Sequence, residues 1–403
     1  MRRLVLLGLS SIAAVAFACG ESGSDASSGS LPDGGTLPDG GGTVGDGGDA
    51  GACPPAPTMV LAANAGSIEV SGDEVVFIDH EGGTAFLTTK TKAVRKVKLD
   101  GTGDTVLYTA QTKHQINDVK TVGGTVFFLE SERDDNGNEA TSLFSMPIAG
   151  GAPTLVGKHV DPTVGLDFDR LDAIISADSD SVFVTRAAAT GEGSLWRFAV
   201  AGGAETLVYR GSIKTRPQKV GDQFYFLSGS IPSGTTNFDS VVKLPAAGGA
   251  PSAVATTRCR GDLTAGTTFG VLCAGSGETT TAKKLSRWDL SGNGHGIVFE
   301  LPESSSHVAF IGPSDGTSVY VEPNVREGTK ANLSKAPLAG GAATVVACDR
   351  EEITRRHTQA ASGSNGVNVS ELDMAMTPTE LVWTETRKAP GQPRTVAIFR
   401  TAR

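Results

Sequence analysis

The sequence predicts an all-β chain assembled from seven copies of a four-stranded unit. Three observations predict it. A Gly-rich turn signature recurs six times, an apolar strand signature recurs seven times between those turns, and no stretch shows a convincing apolar helix period.

The turn signature reads strand, Gly-rich turn, strand. Its copies are VKLDGTGDTVL from Val97, MPIAGGAPTLV from Met146, FAVAGGAETLV from Phe198, LPAAGGAPSAV from Leu244, WDLSGNGHGIV from Trp288 and APLAGGAATVV from Ala336. The first turn glycines are Gly101, Gly150, Gly202, Gly248, Gly292 and Gly340, spaced 49, 52, 46, 44 and 48 residues apart. The second signature is a turn followed by an alternating β-branched and aromatic run, as in GDEVVFI, GGTVFFL and GDQFYFL. Its anchors are Val75, Val126, Val182, Phe224, Phe269, Val319 and Leu381. Runs of this composition bounded by Gly, Asp and Ser are strands. Two hairpins per 42 to 62 residues make four strands per unit, the period of a β-propeller blade. Seven anchors predict seven blades, with six or eight as alternatives.

Six complete turn signatures serve seven anchors, so one outer strand must come from elsewhere. The chain ends in TVAIFRTAR, which matches only the first half of the signature. Thr58-Met-Val matches the second half, as Thr154-Leu-Val and Thr344-Val-Val do. Residues 58–63 are therefore expected to close the last blade beside the C-terminal strand, removing an open sheet edge. In this pattern the chain resembles bacterial seven-bladed propellers of the TolB-like or YWTD-like kind, over residues 58–403. The resemblance rests on repeat shape and implies a fold, not an activity.

Residues 1–18 read as a signal peptide. Arg2 and Arg3 precede a 14-residue apolar run at 4–17, too short to span a bilayer, which needs roughly 20 apolar residues. Residues 15–19 resemble a bacterial lipobox, with small Ala18 before Cys19 and Ala16 where the pattern prefers Leu. The resemblance implies lipid attachment at Cys19 and a membrane anchor; Gly20 in the next position favours an outer-membrane or surface location. Cleavage after Ala18 would instead yield a soluble periplasmic or secreted protein. Residues 19–57 form the lipidated cysteine and a Gly/Asp-rich linker. Its stretch 20–52 has no aromatic residue, no Lys or Arg and six acids, and LPDGG occurs twice. Such a composition cannot bury enough apolar surface to fold.

The whole chain carries −9; without Arg2 and Arg3 it carries −11, and the six linker acids leave −5 for residues 53–403. A mildly acidic propeller lacks the basic footprint of a nucleic-acid binder.

Within a blade, strands are named A to D from the channel outward. The tight A–B and C–D turns lie on one face. The longer B–C loops and the D–A crossovers lie on the other, the longest being the crossover after Cys348. Long loops on a rigid scaffold are where binding residues concentrate, which makes that side the expected functional face. Counting back from the anchors places Ser67, Asp118, Asp172, Arg216, Asp262, His307 and Asp373 at the channel mouth. Asp118, Asp172, Arg216, Asp262, His307 and Asp373 are the candidate ligand-binding residues. Such a ring can hold a cation or a polar ligand, or pair internally around ordered water. The four Asp offer oxygen ligands but follow no known loop spacing, so a metal stays an open question. No cofactor is expected.

Five cysteines less Cys19 leave four that can pair. Cys259 and Cys273 stand seven residues either side of Gly266, which would set them opposite each other in one hairpin. Cys53 and Cys348 would then pin the linker to the propeller. Of three connectivities this is the most local, and an oxidising compartment allows it.

The sequence holds no G-x-S-x-G, H-E-x-x-H, phosphate loop or C-x-x-C, and its six His are scattered. The expected function is non-enzymatic: a monomeric cell-envelope or surface scaffold presenting its loop face to a protein, peptide or glycan. The alternative is a propeller lyase or hydrolase acting at the channel mouth.

Overall fold

The computed structural model describes residues 53–80, 91–112, 114–133, 139–160, 171–187, 193–233, 236–259, 263–274, 284–293, 296–300, 310–322, 331–350, 355–358, 369–387 and 395–403. The signal segment, Cys19 and the linker through residue 52 lie outside them. The described residues form strands and no helix, all within the compact unit Ala50–Arg403.

Strand β1 (Thr58–Ala62) precedes the first blade, which comprises β2 (Ala65–Ser71), β3 (Glu74–His80), β4 (Thr91–Lys98) and β5 (Thr105–Thr109). Blade two is β6 (His114–Val122), β7 (Thr125–Arg133), β8 (Glu139–Pro147) and β9 (Thr154–Val160). Blade three is β10 (Leu171–Ala177), β11 (Ser181–Ala187), β12 (Gly193–Ala199) and β13 (Thr206–Gly211). Blade four is β14 (Gln218–Val220), β15 (Gln223–Ser233), β16 (Thr236–Pro245) and β17 (Ser252–Cys259). Blade five is β18 (Leu263–Gly266), β19 (Gly270–Ala274), β20 (Lys284–Trp288) and β21 (Gly296–Glu300). Blade six is β22 (Phe310–Ser314), β23 (Ser318–Glu322), β24 (Ala331–Pro337) and β25 (Thr344–Arg350). A separate hairpin, β26 (Arg355–Thr358) with β27 (Val369–Leu372), follows. Blade seven is β28 (Met374–Met376), β29 (Glu380–Arg387) and β30 (Thr395–Ala402), with β1 as its outer strand.

The seven-bladed ring is thus closed by the N-terminal strand, as the sequence predicts. Thr58 stands opposite Arg400 and Met59 opposite Phe399.

The core is divided among the blade interfaces. Seven clusters of buried apolar residues lie one between each pair of neighbouring blades. The B strands explain this. Alternate residues of a strand face opposite sides. Val75 and Phe77 therefore pack against Val382 and Ile398 of blade seven. Val76 and Ile78, one step along, pack against Val126 and Phe128 of blade two. A strand buried on both faces must be apolar at every position, which is why the VVFI run is continuous.

The turn signature encodes more than a turn. All six signature glycines adopt φ between +84° and +100°, where a side chain would be strained. In each, the glycine N–H bonds the carbonyl three residues back, at 2.8–3.0 Å. The outer strand that follows makes a bulge at its third residue. Leu107, Val156, Val208, Val298 and Val346 each fall between the paired residues of their outer strand, and β1 repeats this at Val60. The bulge turns Val156 inward at 3% exposure while Leu155 before it stays 52% exposed. Bulged edges also resist pairing with other chains.

The A–B and C–D turns do share a face: Leu99 N–H donates to Asp73 O, Ile148 to Gly124, Val200 to Asp180, Ala246 to Asp222 and Leu338 to Thr317.

Cys53 and Cys348 form a disulfide across 295 residues of sequence, beside the closing strand. Cys273 is disulfide-bonded too. The hairpin argument for its pairing needs correction: Cys273 stands opposite Leu263, while Cys259 ends the outer strand β17 of blade four, opposite Asp239. The side chain of Cys259 lies outside the described residues. The A strand of blade five is only four residues long, so counting outward from Gly266 overshoots it.

Candidate functional site

The structure places three of the proposed channel-mouth residues in full. Asp118 is 3% exposed, Arg216 9% and Asp373 0%. Asp118 lies on β6, and its Oδ2 accepts the Ile174 N–H of the next blade at 2.9 Å. The same oxygen accepts Arg216 Nη2 at 3.2 Å, and that nitrogen also donates to Ile174 O at 2.5 Å. Arg216, just before β14, therefore ties blades two, three and four together.

Asp373 repeats the arrangement elsewhere on the ring. Its Oδ1 accepts the Ile68 N–H at 2.8 Å and its Oδ2 the Thr384 hydroxyl at 3.0 Å. The backbone explains why those amides are available. The pairing of β2 with β3 shifts register between Gly66 and Glu69, and Ser67 takes φ +51°; β10 shifts between Ile174 and Ser176. A bulge removes amides from the ladder, and a carboxylate from the preceding blade accepts them.

Asp118 Oδ1 is buried and makes no hydrogen bond. Asp172 lies on β10 with its side chain outside the described residues, and Asp262 and His307 are outside them altogether. So are most residues of the B–C loops, so the expected functional face is described only at its base. One element there departs from the sequence reading. The long crossover after Cys348 contains the β26–β27 hairpin, in which Arg355 stands opposite Leu372 and His357 opposite Ser370. The hairpin lies against inner strands β22 and β2.

On the turn face the structure shows a pattern that the sequence reading missed. Strand C carries a basic residue cross-strand from a B-strand residue in six of seven blades: Lys96, Arg197, Lys243, Arg287, Lys335 and Arg400. In the five copies that have a turn signature, it stands five residues before the signature glycine. That spacing was available in the sequence.

Most of these side chains clamp strand C to the start of strand B or its turn. Lys96 donates to Glu74 at 2.7 Å, Arg197 to the Ser181 hydroxyl at 2.8 Å and Arg287 to Phe269 O at 2.8 Å. Lys335 pairs with Asp315 at 3.0 Å, and Arg400 with Glu380. Burial opposes ionisation of Asp315, but hydrogen bonds from Lys335, from Thr317 and from the Ser318 N–H outweigh it. They hold the carboxyl well below the usual carboxylate range. Among the described residues no group of three or more His, Cys, Asp or Glu has the geometry to hold a metal ion.

No protein-family profile matches the chain, and no curated protein matches its sequence. Solved structures do. The β-propeller domain of the Trilobed protease from Pyrococcus furiosus aligns with 86% of this chain and 96% of its own, at TM-score 0.54 and 11% identity. An oligogalacturonate lyase in complex with manganese aligns over 82% and 86%, at TM-score 0.53 and 12% identity. The acylaminoacyl peptidase of Pyrococcus horikoshii aligns over 85% of this chain but 52% of its own length, at TM-score 0.55 and 9% identity. At such identities the likeness shows the propeller fold alone. The protease propeller is described as having an open velcro topology; here β1 pairs with β30 and closes the ring.

Proposed function

We propose that this chain is a non-enzymatic binding or scaffold protein of the cell envelope. In this reading it is exported, anchored through lipid at Cys19, and held at the outer membrane or cell surface as a monomer. The acidic linker spaces the propeller from the membrane, and the loop face meets a protein, peptide or glycan. One observation carries the non-enzymatic part: Asp118, Arg216 and Asp373 are engaged in bonds that join blade to blade. A catalytic carboxylate needs an atom that substrate can reach.

A second reading, a lyase or hydrolase at the channel mouth, draws on Asp118 Oδ1, the buried oxygen without a hydrogen bond. The fold's occurrence in a lyase and in peptidases is compatible with it and adds no residue-level support.

The test has two parts. The full chain, expressed in a bacterium with two membranes, should fractionate with the membrane, and Cys19→Ala should release it. Purified protein is then offered to peptide and glycan arrays. Saturable retention without consumption of the ligand supports the binding reading. Turnover that Asp118→Asn abolishes, in a variant that still unfolds cooperatively above the assay temperature, overturns it in favour of the enzyme.

A further inference from the structure

We infer that the Cys53–Cys348 bond is a redox latch on ring closure: a dithiol reductant opens it and releases β1 from blade seven, and reoxidation closes it again. The latch sits at the outer edge of the ring and is independent of what the loop face meets.

The closing strand is lightly held. In blades one to six the outer strand follows strand C directly in the chain. β1 reaches blade seven from the opposite end of the sequence and meets β30 only by pairing. That ladder shifts register between Met59 and Leu61. Of the five residues of β1 only Val60 is buried, and Met59 is 51% exposed. A short strand with one buried side chain has little to offset the entropy of being ordered.

The segment before it supplies the missing hold. Pro54, Pro55 and Pro57 fix their own φ near about −65° and keep Cys53, Pro54 and Ala56 extended. Residues 53–57 are thus a stiff strap, rising about 3 Å per residue. It is not packed down along its length. Pro55 and Ala56 are exposed, and residues 54–58 line a cleft of about 680 Å³ together with residues of blades six and seven. The strap is fixed at its ends, by β1 and by the disulfide to Cys348 on β25 of blade six. Because it is stiff, holding Cys53 holds the start of β1 in register.

β1 in turn joins two blades. Val60 packs in one cluster with Val382 and Ile398 of blade seven and Val75 of blade one. Its carbonyl abuts the turn of blade one so closely that a Cβ on Gly101 would stand 2.8 Å from the oxygen. Release of β1 therefore uncovers the eight-residue edge of β30 and parts blade seven from blade one at the rim.

Accessibility is what makes this bond a switch. Cys53 is exposed and Cys348 half-buried, whereas Cys273, which is also disulfide-bonded, is 0% exposed. Thiol–disulfide exchange needs a thiolate to reach a sulfur. A dithiol attacks Cys53 Sγ, forms a mixed disulfide there and expels the Cys348 thiolate. Its second thiol resolves that bond, freeing Cys53 and closing the reductant's own disulfide. Two electrons pass to the protein, and the two protons of the dithiol end on the two cysteines.

The test is amide exchange of the full-length protein, oxidised and after dithiothreitol, read by mass spectrometry with thiol alkylation to map which bond has opened. The Cys53–Cys348 bond should open about tenfold faster or more than the bond of Cys273. Exchange in β1 and β30 should then quicken about tenfold more than in β11 and β12 of blade three, and reoxidation should restore it. Cys53→Ala with Cys348→Ala should show the fast exchange without reductant and no response to it. The inference is overturned if the Cys273 bond opens as fast or if β1 and β30 stay as slow as before. It is equally overturned if blade three quickens by the same factor, which makes the bond a staple of the whole ring. The wild-type comparison decides these outcomes even if the double variant does not fold.

Discussion

Replacing Asp373 by alanine tests the inter-blade carboxylate directly. The carboxylate receives the Ile68 N–H at 2.8 Å and the Thr384 hydroxyl at 3.0 Å. Asp373, Ile68 and Thr384 are all 0% exposed, so neither donor gains water when the carboxylate goes. A hydrogen bond to a charged group contributes about 1.5–3 kcal/mol, and a stranded buried donor carries its own penalty, so the loss should be about 3–5 kcal/mol. At roughly 2 °C per kcal/mol for a propeller of this length, the melting temperature should fall by roughly 6–10 °C. Asp373→Asn keeps one acceptor oxygen for Ile68 and should lose about half as much. Because the bond joins blade seven to blade one, hydrogen exchange should quicken first in β2 and β1. Calorimetry and urea unfolding measure the energy; amide exchange locates it. A fall of less than about 2 °C for the alanine variant would refute the clasp.

Three further outcomes follow from the same physics. Cys348→Ser frees the closing strand and should cost about 2–5 kcal/mol in urea unfolding, whereas an unchanged midpoint would mean that β1 holds without its disulfide. Val156→Asp places a charge between blades two and three and should cost roughly 3 kcal/mol or more, while Leu155→Asp, one residue away and exposed, should stay within about 0.5 kcal/mol; equal effects would disprove the bulge register. Asp315 ionises more readily folded than unfolded, so its contribution is present above the unfolded pKa of about 4 and disappears as pH falls through the lower folded value; Asp315→Asn should flatten that acid limb of a stability–pH profile, and an unaltered limb would count against the Lys335–Asp315–Arg403 cluster.

The blades and their closure were legible because each rests on local chemistry. A glycine at positive φ, an apolar run buried on both faces and a Thr–apolar–Val bulge all leave a mark within a dozen residues. Thr58-Met-Val could be assigned to the last blade because a Thr–apolar–Val triplet also opens the outer strands at Thr154, Thr206 and Thr344. Asp118 and Asp172 fall on inner strands and Arg216 and Asp373 just before them, but the partners of Asp118, Arg216 and Asp373 were not legible. Asp373 is bonded to an amide 305 residues away, and no spacing rule encodes that. The β26–β27 hairpin was read as plain crossover because RRHT and VSEL carry little apolar alternation. The basic position in strand C was passed over because its role depends on a cross-strand neighbour rather than on its own segment.

The inner wall of the ring explains why acids and an arginine gather there. In three blades the A strand is the shortest element: β14 and β28 have three residues each and β18 four. Such strands form few ladder bonds, and bulges in β2, β6 and β10 remove more. A channel wall this thinly laddered would leave buried amides unsatisfied unless side chains replaced the missing strand neighbours. Asp118, Asp373 and Arg216 do so, each reaching a backbone group on another blade. The residue types that make a channel mouth resemble a ligand site are therefore those its own backbone requires. Of these three side chains, Asp118 Oδ1 is the buried atom that the task leaves without a hydrogen bond.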